Sequence, residues 1–117
     1  METALTVFKS IEATAGAIKA LVGTDQFGSK LTRQQRRMIN DAMTEWVNSN
    51  VQAQLAQKRM IDATSVMTML LVQMNNLKQT IESLGGTAGD SDLTAKLVGM
   101  QFETLTGFYR KFIQSIQ

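Results

Sequence analysis

Asp41 and Glu45 lie four residues apart, so on a helix their carboxylates share one face. Such a pair can divide acid and base roles in catalysis, but only where a second cluster converges on it. Met60, Met67, Met69 and Met74 offer thioethers of the kind that ligate soft metals. GGTAGD, residues 85–90, has the glycine content of a phosphate loop. It lacks the lysine and hydroxyl spacing that such loops need, and reads as a flexible turn. Lys30, Arg33, Arg36 and Arg37 form the remaining cluster, a concentration of positive charge suited to phosphate or to an acidic protein surface.

The chain has no cysteine and no histidine. That removes thiolate nucleophiles, histidine bases and the commonest zinc sites. Without them the carboxylate pair reads as an ordinary helix surface and the methionines as packing residues. No catalytic, cofactor-binding or metal-ligating residue is assigned, and a non-enzymatic protein is expected.

The elements that would position these groups are helices. Proline is absent from the 117 residues, against an average usage of about 5%, so nothing forces an interruption. Glycines punctuate the chain in GTDQFGS, residues 23–29, and GGTAGDSD, residues 85–92. Three amphipathic segments remain, about 3–22, 31–84 and 92–116, within a single all-α domain spanning 1–117. In the first, Ala4, Phe8, Ile11, Ala15, Ile18 and Val22 recur at helical spacing, and Gly16 offers a place for a neighbour to come close. In the last, Val98, Phe102, Leu105, Tyr109, Phe112 and Ile116 do the same, broadened by Leu97, Phe108 and Ile113. Asp90, Ser91 and Asp92 are its candidate N-caps.

The middle segment carries a three–four alternation through Ile39, Ala42, Trp46, Ser49, Ala53, Ala56, Met60, Ala63, Met67, Leu70, Met74, Leu77, Ile81 and Leu84. Such a run is a coiled-coil-like seam, thin where alanine dominates and wide where leucine and methionine do. Ile39, Ala42, Trp46, Ala53, Ala56, Met60, Met67, Leu70, Met74, Leu77, Ile81 and Leu84 are therefore expected to serve self-association. Thr32 and Gln35 have the spacing of a capping box. At about 100° per residue the basic cluster points away from Ile39 and Trp46, as a solvated face would, with Arg37 and Asp41 spaced for a surface ion pair. Aromatic residues interleaved with the basic ones, the mark of single-strand binders, are missing.

Two architectures are open. As one continuous helix, 31–84 would be about 80 Å long, and the flanking helices would fold back on it as an elongated hairpin or bundle. Alternatively, the weak helix formers Asn48, Ser49 and Asn50 break it, giving a compact four-helix bundle. In the elongated form Met43, Val47, Val51, Leu55, Val66, Met69, Leu71 and Val72 would lie outside the seam and call for further partners.

Charge alternates along the chain, −1 over residues 1–29, +4 over 30–60, −3 over 61–92 and +2 over 93–117. This pattern suits matching between segments or between copies better than a dedicated polyanion surface. The longest apolar stretch, VMTMLLVQM, is half the length of a membrane span, and the amino terminus lacks the basic and apolar regions of a cleavable signal. Cytoplasmic synthesis is expected, with a place in a virion or export by a signal-independent route. Segment 3–22 could lie on a membrane surface, but its two lysines and one internal glutamate favour helix packing.

A chain free of proline and cysteine, rich in Gln, Thr, Met and Ala on amphipathic helices, resembles in composition the helical subunits of phage virions and of type III secretion needles, rods and filaments. The terminal stretch DSDLTAKLVGMQFETLTGFYRKFIQSIQ is similar to the carboxy-terminal helix of the secretion subunits, although the proline-containing turn usual in needle proteins is absent. The resemblance implies a structural subunit whose partners are copies of itself and other assembly components. The other reading is a small nucleic-acid-binding or regulatory helical protein using the basic 30–37 segment.

Overall fold

Thr32 and Gln35 show how locally the helix starts are determined. The Gln35 N–H donates to Thr32 Oγ1 at 3.0 Å and the Thr32 N–H donates to Gln35 Oε1 at 3.1 Å, the reciprocal capping box. In the computed structural model, which describes residues 4–55, 60–85 and 90–116, this box opens the third of five helices. They are α1 (Ala4–Gly23), α2 (Asp25–Gly28), α3 (Arg33–Leu55), α4 (Met60–Gly85) and α5 (Ser91–Ile116). Asp90 is the cap of α5, its Oδ1 accepting from the Asp92 N–H at 2.9 Å. The short α2 arises inside the first glycine-rich break because Thr24 caps it, Oγ1 accepting from the Phe27 N–H at 3.3 Å.

The segment from 31 to 84 is not one rod. Helix α3 ends at Leu55 and α4 begins at Met60, and the whole fold measures 47 × 23 × 19 Å with a radius of gyration of 14.5 Å. A straight helix of about 80 Å does not fit within that envelope. The compact bundle is the architecture adopted, yet the division is not at 48–50, where α3 is unbroken. Asn and Ser cost only a few tenths of a kcal/mol each in a helix, less than Trp46 and Val47 gain by packing one turn earlier.

The four long helices form a ring of neighbours, α1 against α3 and α4, α4 against α5, and α5 more loosely against α3. One hydrophobic cluster fills the centre. Helix α1 supplies Phe8, Ile11, Ala15, Ile18 and Val22 as its spacing predicts, and α4 supplies Met67, Leu70, Met74, Leu77 and Ile81, all buried. Phe8 of α1 meets Phe112 of α5 edge to face, centroids 6.5 Å apart. On α3 the inward residues are Ile39, Met43 and Trp46. Met43, not Ala42, fills the inward position, so α3 follows an i, i+4, i+7 stripe and departs from the seam pattern there. Gly16 faces solvent with open space around its α-carbon. A glycine that does allow a close approach is Gly28, where a β-carbon would run into the Val22 carbonyl oxygen.

Candidate functional site

The basic cluster divides in two. Arg36 Nε donates to the Val22 carbonyl oxygen at 2.9 Å, at the end of α1, and Lys30 Nζ donates to the Leu84 carbonyl oxygen at 3.3 Å, at the end of α4. Both side chains are half-buried, their stems covering apolar surface while their charges meet the negative ends of two helix dipoles. The expectation that all four point away from the core therefore fails for these two. Arg36 is three residues before Ile39, about 60° round the helix, so it starts beside the inward face, while Lys30 precedes α3 and is not bound by its spacing. Arg33 and Arg37 are exposed, as the helical spacing requires. Among the described residues the ion pair formed is Lys78–Glu82 at 3.1 Å, and Arg37 does not close on Asp41.

This division is testable. Arg36→Ala is expected to lower the unfolding free energy by about 1–2 kcal/mol, since it removes a charged donor and leaves the Val22 carbonyl without that partner. Arg33→Ala is expected to leave the urea midpoint unchanged. Equal effects of the two substitutions in urea unfolding would contradict the assignment.

The seam residues are used inside one chain. Ile39, Trp46, Met67, Leu70, Met74, Leu77 and Ile81 are buried in the single-chain core, while Ala42 and Leu84 are half-buried. The side chains of Ala53, Ala56 and Met60 lie outside the described residues. Met67 and Met74 are core residues and Met69 is half-exposed on the outside of α4. The apolar face of α1, from Val7 to Val22, is likewise inside the bundle, so a membrane surface would have to unpack it. Among the described residues no helix is long and apolar enough to cross a membrane.

The loosest pairing in the ring of long helices, α3 against α5, leaves a groove. One hollow of about 430 Å³ is lined by Gln35, Met38, Ile39, Val98, Gly99, Phe102, Glu103, Thr106 and Arg110. A second, of about 440 Å³, continues it through shared Met38, Phe102, Thr106 and Arg110 to Asp41, Ala42, Glu45, Trp46 and Tyr109. Gln35 ties the two helices at one end, its Nε2 donating to the Ala95 carbonyl oxygen at 2.8 Å. Gly99 admits this approach, since a β-carbon there would lie 3.2 Å from that nitrogen. Aromatic rings close the groove floor. Trp46 stacks on Tyr109 with centroids 4.5 Å apart and planes 15° from parallel, and Phe102 lies 6.4 Å away at 8°. Apolar floor and charged rim are the makings of a surface for side chains or a helix.

Asp41 and Glu45 stand exposed on the rim. Among the described residues no three Asp, Glu, His or Cys side chains gather to hold a metal ion. Leu97, expected to broaden the inward stripe of α5, instead lies in an outward apolar row with Leu93 and Met100, the three being 39%, 57% and 66% exposed. Their i, i+4, i+7 recurrence was visible, but the stronger stripe through Val98, Leu105 and Phe112 on the same helix overshadowed it. Compared with known protein families, with curated proteins and with solved structures, the chain matches none.

Proposed function

We propose that this protein is a non-enzymatic helical subunit that works by associating with copies of itself in a larger particle, ring or filament. The observation that carries the reading is the uncovered apolar row Leu93, Leu97 and Met100 on α5; Met69 and Val72 on α4 are also half-exposed. Scattered apolar side chains need no explanation, but a row at helical spacing on one helix of a small bundle is what a packing surface requires. The compositional resemblance to virion and secretion-filament subunits points to the same class.

Binding of nucleic acid is the less supported reading. Of the four cations in residues 30–37, Lys30 and Arg36 are engaged by helix ends, and the exposed pair Arg33 and Arg37 is followed on the same helix by Asp41 and Glu45.

Light scattering on protein eluting from a sizing column, over a wide range of loading concentration, tests the proposal. The mass is expected to exceed that of one chain and to rise with concentration. The mass of a single chain at every concentration overturns it.

A further inference from the structure

The exposed charges of α3 run in a fixed order. Arg33, Arg37, Asp41 and Glu45 follow at intervals of four, so they form one i±4 ridge, basic in its first half and acidic in its second. All four are exposed, and among the described residues none of them is in an ion pair. The order is antisymmetric about Ile39, with Arg33 and Glu45 six residues either side and Arg37 and Asp41 two. A two-fold axis at that level turns the ridge onto its own complement.

We infer that α3 is an isologous contact between two copies of this chain, packed antiparallel about Ile39. This rests on the self-association reading and names the surface for it. Arg33 of one copy then opposes Glu45 of the second, Arg37 opposes Asp41, and the two-fold repeats both pairs, giving four matched contacts along about 18 Å of helix. Two i±4 ridges run alongside each other when helices cross at roughly −50°, the commonest packing class. Parallel pairing in register sets arginine against arginine and carboxylate against carboxylate, so the charge order selects one orientation. Met38, half-exposed at the same level, flanks the ridge on the side of the α5 groove. Exposed ion pairs fix register more than they supply affinity, so the contact is one of the interfaces of an assembly and works with the apolar row on α5.

Sedimentation velocity on four proteins tests this. The unaltered chain is expected to associate, and its association to weaken roughly tenfold between about 50 and 500 mM salt. R33E/R37E and D41R/E45R each place like charges along the whole ridge. Each is expected to lose that association, while an equimolar mixture of the two regains it. The four-fold exchange R33E/R37E/D41R/E45R restores the alternation in reverse and is expected to associate alone. Circular dichroism should give all four the same helix content. If the unaltered chain associates, but insensitively to salt and equally in every variant, the α3 contact is overturned and the self-association reading stands. A chain monomeric throughout overturns both.

Discussion

Leu77→Ala is expected to lower the unfolding free energy by about 2–5 kcal/mol, the range for removing a fully buried leucine from a rigid core. Leu77 is 0% exposed and sits on α4, the helix that packs against both α1 and α5. Its side chain belongs to the central hydrophobic cluster, where close packing limits how far neighbours can relax into the void. Val72 on the same helix is 50% exposed, and Val72→Ala is expected to change stability by less than about 0.5 kcal/mol. Urea denaturation followed by circular dichroism separates the two cases. Similar losses at both positions would mean that α4 buries a different face.

Trp46→Ala is expected to cost about 3–5 kcal/mol, more than most buried aliphatic truncations. The indole is 3% exposed and stacks on Tyr109, so its loss empties the place where α3 and α5 meet despite their loose pairing. A double-mutant cycle with Tyr109→Leu should return a coupling of about 0.5–1.5 kcal/mol beyond area burial. Trp46 is the one tryptophan in the chain, which makes its emission a direct report on this contact. The native emission should be blue-shifted and move to the red on unfolding. Native emission already at the solvent-exposed wavelength would contradict the stacked geometry.

How much of this was legible in the residues differs from helix to helix. The inward face of α1 follows from its spacing alone, since Phe8, Ile11, Ala15, Ile18 and Val22 are all buried. The wide half of the middle seam, Met67 to Ile81, was equally legible. In the thin half Ile39 and Trp46 are buried as the seam predicts, but the choice between alanine at 42 and methionine at 43 was open, because both satisfy a helical template and only the partner helix decides between them. The division between Leu55 and Met60 carries no proline or glycine. That α1 packs against both α3 and α4 is tertiary information, which no local signal announces. Periodicity also tells which face of a helix is inward, never how far apart two helices lie. The α3–α5 groove, and the reach of Arg36 to the Val22 carbonyl, belong to that second kind of information.

The compact bundle turns the described apolar seam inward, and on the proposed reading it associates through its outer surface. Small-angle X-ray scattering over a dilution series measures both halves at once. At infinite dilution the radius of gyration is expected close to 14.5 Å, while the forward scattering per unit protein rises steadily with concentration. A limiting value near 23 Å, about what a straight helix of roughly 80 Å would give, would contradict the fold. Forward scattering fixed at the value for one chain across the series would contradict the association.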